Sequence, residues 1–286
     1  MSIVVTGATG QLGRHVIEAL LERNVPAEDI VATGRAVHKL SDFAARGVRV
    51  AAVDYADAVS VAAALKGATK VLLISGSEVG DARVAQHRTV IEAAKTAGVA
   101  LLAYTSAPGS LTAALADDHR ATEEALLASG VPYVLLRNGW YLENYTEQLA
   151  GTLAQGALAG SAGEGKVSAA SRADYAQAAA AVLVAGDQAG KVYELGGDDA
   201  FSMAELAAEI SAASGKAISY NNLPAGDYAG LLIGAGVPEA FAEILADSDL
   251  GIARGDLLVT SGDLRRLIGR PATPLSEAVR SAVASV

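Results

Sequence analysis

Short β-branched runs alternate with alanine-rich helical patterns along the first two-thirds of this chain. The runs Ser2–Thr6, Ile30–Thr33, Val48–Val53, Val71–Ser75, Leu101–Thr105 and Tyr133–Arg137 predict strands. Their near-continuous apolar character means burial on both faces, which is the mark of a parallel sheet. Between them, Arg14–Arg23, Leu40–Arg46, Ala58–Leu65, Arg83–Ala97 and Asp117–Ser129 repeat apolar residues at helical spacing. Right-handed crossovers turn this alternation into an α/β fold, a Rossmann-type doubly wound parallel sheet. Ligands in such sheets sit outside the carboxyl ends of the strands. The residues just after each strand are therefore where chemistry is sought.

Beyond about residue 150 the pattern loosens, and residues 151–165 are rich in glycine and alanine. Ala204–Ala213 predicts a helix capped by Ser202, with Glu205 at the capping-box position. Ile218–Asn221 predicts a short strand, and Tyr228–Leu245 a helix interrupted by Gly234-Ala235-Gly236. On this reading residues 1–150 form the Rossmann-type core. Residues 151–286 form a smaller C-terminal substrate lobe interleaved with the last sheet elements.

The chain has 286 residues, long enough for a large core, and a net charge of −10 with no basic run, which argues against a nucleic-acid surface. No cysteine is present, so disulfides and thiolate chemistry are excluded. No stretch is apolar and long enough to span a bilayer, and a strand begins at once, which leaves no room for a signal peptide. A cytoplasmic protein is the expectation. The four histidines, at 15, 38, 87 and 119, show no metal-ligand spacing, and no metal is expected.

The strongest local signal is Thr6-Gly7-Ala8-Thr9-Gly10-Gln11-Leu12-Gly13, directly after Ile3-Val4-Val5 and before the amphipathic Val16-Ile17-Leu20-Leu21. Glycines at 7, 10 and 13 suit a tight turn out of a strand, a backbone that approaches a pyrophosphate, and a helix packed closely on the sheet. An acid at the end of the second strand would bind the ribose 2′-hydroxyl of NAD. Here that position reads Thr33-Gly34-Arg35, with Lys39 close behind. A forked cation there suits the 2′-phosphate of NADP. Ser75-Gly76-Ser77 follows the fourth strand, where small residues let a nicotinamide half lie against the backbone.

None of the nine tyrosines has Lys four residues on, so the Tyr–Lys acid of ordinary short-chain dehydrogenases is absent. His119 and Glu123 share one face of the helix after the fifth strand. After the sixth strand comes Asn138-Gly139-Trp140-Tyr141-Leu142-Glu143-Asn144, which holds the only tryptophan. Rigid amphipathic rings suit a pocket for a flat acceptor, and asparagine amides can hold a carboxamide or meet an oxyanion.

With these stretches the chain resembles the NmrA-like atypical short-chain dehydrogenases, and within them the NADPH-dependent quinone reductase branch. Triphenylmethane reductase is a near relative of that branch. Further matching stretches are Leu72–Ser75, Gln86-His87, Ala103–Ser106, Leu136–Asn144, Ser171–Tyr175, Lys191–Leu195 and Leu267–Gly269. The resemblance implies that NADPH is held by Thr6 through Gly13, Arg35, Ser75, Gly76, Ser77, Asn138, Gly139, Trp140, Tyr141, Leu142, Glu143 and Arg172, and the charge of Lys39 adds to that of Arg35. It places Asn144 in the substrate pocket, with Tyr141 and His119 as candidate proton donors. The 107–117 loop, shorter than in relatives, is expected to overhang that pocket.

The implied activity is hydride transfer from NADPH to quinones or similar electrophilic carbonyls. Such acceptors are reactive enough to do without a built-in strong acid. An NADP(H)-binding redox sensor without turnover, or a ketone, imine or dye reductase, fits the same scaffold. The implied partner is a small molecule, with neither nucleic acid nor membrane, and a homodimer is left open.

Overall fold

The computed structural model describes residues 2–112 and 114–286, so Ala113, inside the expected overhanging loop, lies outside the described residues. The elements run β1 (Ile3–Val5), α1 (Gln11–Glu22), β2 (Ile30–Gly34), α2 (Ser41–Ala45), β3 (Arg49–Ala52), α3 (Ala58–Leu65), β4 (Lys70–Leu73), α4 (Asp81–Ala97), β5 (Leu101–Ser106), α5 (Leu115–Ser129) and β6 (Tyr133–Asn138). There follow α6 (Glu143–Thr146), α7 (Leu149–Gln155), β7 (Ala157–Gly160), β8 (Lys166–Val167), α8 (Arg172–Val184) and β9 (Lys191–Leu195). The chain closes with β10 (Phe201–Ser202), α9 (Met203–Ser214), β11 (Ser219–Asn222), α10 (Ala225–Gly234), α11 (Glu239–Arg254), α12 (Asp263–Ile268) and α13 (Leu275–Val283).

Seven strands form one parallel sheet in the order β3-β2-β1-β4-β5-β6-β9. At the far edge the Gly190 N–H donates to Tyr133 O and the Gly139 N–H to Leu195 O, which sets β9 running with β6. β1 is central, with Val5 level with Ala32 on one side and Leu72 on the other. The strand order reverses between β1 and β4, which makes their carboxyl ends the switch point where ligands bind.

Side-chain alternation explains the two covered faces. Val4, Val71, Leu73, Leu102 and Leu135 share a core cluster with Val61 and Leu65 of α3, Val90 and Ile91 of α4, and Leu126 of α5. Ile3, Val5 and Leu72 therefore face the other way, and they are also fully buried. On that face α1 packs against α8, and the Arg23 guanidinium reaches Gln177 O at 3.2 Å. Helices on both faces make the sheet doubly wound.

The chain divides into two compact units. The first takes everything up to Ala107, then Asp117–Asn138 and Arg172–Tyr193, and the second takes Pro108–Ala116, Gly139–Ser171 and Glu194–Val286. Set against a division at 150/151, residues 108–116 and 139–150 belong to the second unit, and residues 172–193 return to the first to supply α8 and most of β9. The second unit contains two small sheets, β7 parallel to β11 and β8 antiparallel to β10. Around them α9 packs on α13 and α10 on α11.

Candidate functional site

β1 delivers the chain into Thr6–Gly10, and α1 begins with Gly10 as its N-cap. Gly7 takes φ +61°, the left-handed region that favours glycine, which turns the chain out of the strand. Ala8 N–H then donates to Thr33 O at 2.7 Å, tying the loop to β2, and Gly10 N–H donates to Gly7 O at 3.0 Å. A Cβ on Gly13 would stand 2.5 Å from Gly7 O, so only glycine lets α1 start this close to the turn.

Thr6, Ala8, Leu12 and Gly13 are buried, whereas Gly10 and Gln11 are exposed and Gly7 and Thr9 half-buried. The buried four support the loop, and the surface offered to a ligand is Thr9, Gly10 and Gln11. No side chain caps α1. Its first-turn amides are thus open to an anion, with the positive end of the helix dipole behind them. Such an opening suits a phosphate group.

At the end of β2, Gly34 faces Thr9, and a Cβ there would lie 2.7 Å from the Thr9 side chain. The sequence reading did not single out Gly34, because the signal lies in a partner 25 residues upstream. Arg35 and Lys39 follow, both exposed, and among the described residues nothing pairs with either cationic group. The neighbouring Arg14 is committed, reaching Asp42 at 2.5 Å and Lys39 O at 2.5 Å.

The turn after β4 is held by side chains from three other elements. Ile74 N–H donates to Thr6 Oγ1 (3.1 Å), Ser75 N–H to Thr105 Oγ1 (2.9 Å) and Gly76 N–H to His87 Nε2 (2.9 Å). Ser75 Oγ also donates to Thr105 O at 2.8 Å, and Tyr55 Oη donates to Ile74 O at 2.8 Å. Tyr55 also hydrogen-bonds Thr6 Oγ1, so it braces the glycine turn from beneath. Burial pushes its phenol well above the usual range, and it stays neutral.

α5 carries His119 and Glu123 on one face, as their spacing predicts. His119 Nδ1 hydrogen-bonds the Tyr104 hydroxyl at 2.8 Å. Burial, then the positive charge of Arg83 and the neighbouring His87 ring, depresses its pKa to about 3. At neutral pH His119 therefore holds no second proton to give, which speaks against it as the acid. Glu123 is gripped at two points by Arg137, at 2.9 and 2.6 Å, and accepts from Ser106 Oγ at 2.6 Å. Beyond that ion pair, at the carboxyl end of β6, Asn138 is 8% exposed and its Oδ1 has no partner among the described residues. A buried acceptor without a donor is costly. A carboxamide N–H₂ such as that of nicotinamide is the kind of group that completes it.

In the second unit, Trp140–Leu142 runs beside Ala170: Ala170 N–H donates to Trp140 O (3.1 Å) and Leu142 N–H to Ala170 O (3.0 Å). Leu142 is buried and anchors the segment. Trp140, Tyr141 and Glu143 are half-buried. Asn144, the second residue of α6, is half-buried, and among the described residues nothing pairs with its carboxamide. Arg172, in the first unit, begins α8. Among the described residues no cluster could hold a metal ion, and no helix is long and apolar enough to cross a membrane.

Comparison with known proteins agrees with this geometry. Residues 7–185 match the family model described as NAD(P)H-binding. Quinone oxidoreductase 2 of Escherichia coli is 49% identical over 97% of this chain and 97% of its own length. The crystal structure of that NADPH-dependent enzyme complexed with NADPH superimposes with a TM-score of 0.94, covering 98% of this chain and 99% of the other. Triphenylmethane reductase of Citrobacter sp., complexed with NADP(H), is 40% identical with a TM-score of 0.93, covering 98% of this chain and 100% of the other. The chain belongs to the NAD(P)H-binding oxidoreductase family that contains these reductases.

Proposed function

We propose that this chain is an NADPH-dependent reductase of quinones and comparable electrophilic carbonyl compounds. The observation that carries the reading is its 49% identity, over nearly the full length of both chains, to a quinone oxidoreductase. The cofactor, when bound, supplies a hydride from its reduced nicotinamide ring. Thr9, Gly10 and Gln11 hold its pyrophosphate against the uncapped start of α1. Arg35 and Lys39 meet the 2′-phosphate, and Arg172 is a further candidate phosphate contact. Asn138 Oδ1 accepts from the carboxamide and fixes the ring face.

The proton needs a separate source. His119 is neutral, and the Glu123 carboxylate is engaged with Arg137 and Ser106. On this reading the Asn144 carboxamide donates a hydrogen bond to the oxyanion as it develops, with Tyr141 as second donor. Solvent then delivers the proton. Trp140 offers a flat apolar wall for the ring.

The test is NADPH oxidation by the purified protein with 1,4-benzoquinone. Sustained turnover is expected, with NADPH preferred over NADH. Tight NADPH binding without turnover would replace the reading with that of a redox sensor. The 40% identity to triphenylmethane reductase favours dyes as a second acceptor class. A parallel assay with a triphenylmethane dye ranks the two by kcat/KM.

A further inference from the structure

His87 is fully buried and uses both ring nitrogens. Nε2 receives the Gly76 N–H at 2.9 Å, so it must be the unprotonated nitrogen. Nδ1 lies 3.0 Å from Thr122 Oγ1, and the Thr122 hydroxyl spends its own proton on Asp118 O at 2.8 Å. Thr122 can then only accept from His87. Both sides dictate the same tautomer, with the proton on Nδ1. The chain of bonds runs Gly76 N–H to His87, His87 N–H to Thr122, and Thr122 O–H to the backbone of α5.

Of the three side-chain acceptors that hold Ile74, Ser75 and Gly76, His87 is the one that can change its hydrogen-bonding sense. The other two are threonine hydroxyls, Thr6 just after β1 and Thr105 of β5. We propose that His87 is a positioning residue for the nicotinamide half of the cofactor, acting through the Gly76 amide to hold the Ser75–Ser77 turn, with Thr122 locking the ring in the tautomer that can do so. This rests on the reading that NADPH binds along the carboxyl ends of these strands.

The surroundings keep the ring neutral. Tyr104 of β5 and Tyr55 after β3 meet it edge-on, with centroids 5.5 and 6.3 Å away. On α4 Arg83 is the nearby cation, paired with Asp118 of α5 at 3.6 Å, and His119 on α5 is itself neutral. Burial, then Arg83, depresses the His87 pKa to about 4. Protonation would place an N–H against the Gly76 N–H, and this environment suppresses it.

Three variants test the proposal without touching the turn. Thr122→Val keeps shape but leaves Nδ1–H without an acceptor, which favours the opposite tautomer. His87→Leu removes the acceptor outright. His87→Gln keeps an acceptor near Nε2 and cannot be protonated. We expect Thr122→Val and His87→Leu to weaken NADPH binding about tenfold, the scale of one lost hydrogen bond. His87→Gln should retain most of the affinity. All three should bind 2′,5′-ADP, which lacks the nicotinamide half, as the parent does. Imidazole ¹⁵N shifts of the parent protein without cofactor should report protonation at Nδ1 of His87, and those of Thr122→Val should not. Unchanged NADPH affinity in both Thr122→Val and His87→Leu would overturn the inference and leave the reductase reading standing. Equal losses for NADPH and 2′,5′-ADP would overturn it too, by showing general structural damage. A parent protein that binds no NADPH would end both. If His87→Leu does not fold, Thr122→Val and the ¹⁵N shifts decide.

Discussion

Arg35 stands where an NAD enzyme would keep an acid, and its guanidinium meets no anion among the described residues. Arg35→Glu should therefore weaken NADPH binding by about ten- to a hundredfold while leaving NADH nearly unaffected, as fits the loss of one charge-assisted pair to phosphate. Titration with both cofactors decides it, and equal losses would remove Arg35 from the 2′-phosphate. Asn144 and Trp140 make the matching case for the acceptor. Asn144→Ala should lower kcat with benzoquinone on the order of 10²-fold at unchanged NADPH affinity, as expected for one oriented donor to an oxyanion. Trp140→Ala should mainly raise the quinone KM. Quinone kinetics unmoved by either change would place the acceptor site elsewhere. The glycine loop, Arg35 and the 138–144 stretch could be read from sequence because each is a contiguous run beside a strand. The anchors Thr105, His87 and Thr122 could not, because each acts on a turn 11 to 46 residues away, and single-chain spacing carries no such information. His119 shows a different limit. Its place on the helix face follows from spacing, but its protonation state follows from burial by three-dimensional neighbours.

At the level of elements, local chemistry that closes within a few residues survives into the structure. Ser202 accepts from the Glu205 N–H at 3.2 Å while Glu205 accepts from the Ser202 N–H at 2.7 Å, the reciprocal capping box expected at the start of α9. Ser202→Ala should cost about 1 kcal/mol in chemical denaturation, with cofactor affinity unchanged. A loss below a few tenths would mean that the Lys166–Glu205 pair, 3.1 Å long, holds the helix start by itself. Six strands of the sheet and the helices between them follow from periodicity, because each strand is a near-continuous apolar run. Two of the elements absent from the periodic pattern have that pattern hidden by their surroundings. α8 is alanine on nearly every face and mostly buried, so it has no polar stripe to mark a period. β9 is an edge strand with Lys191 and Val192 exposed, so it shows no continuous apolar run. The stretch 225–254 becomes two helices because Pro238 caps a new start after Gly236, which takes φ +92°.

At the scale of the whole molecule, the two units interleave along the chain. Each unit is assembled from three separated segments, and residues 172–193 return to the first after the chain has entered the second. Assembly of this kind also buries a charge that no local pattern marks. Asp249 of α11 accepts the Ser161 N–H at 2.7 Å, and the ionisable groups acting on it are the neutral phenols of Tyr145, Tyr220 and Tyr228, with no cation among them. Burial raises its pKa from the ordinary aspartate range to about 6, and the hydrogen bond from Ser161 offsets only part of that. The folded state thus holds this proton more tightly than the unfolded chain. Its share of stability is fully present below about pH 4, is lost as pH climbs to about 6, and stays lost above. The full linkage value is about 3 kcal/mol, and we expect about 2 because the carboxyl keeps some contact with water. Asp249→Asn keeps an acceptor for Ser161 and carries no charge. It should be more stable than the parent by about 2 kcal/mol at pH 8, and equal to it near pH 4. Denaturation midpoints of both proteins across that range test it, and parallel curves would show that Asp249 is not held uncharged in the fold.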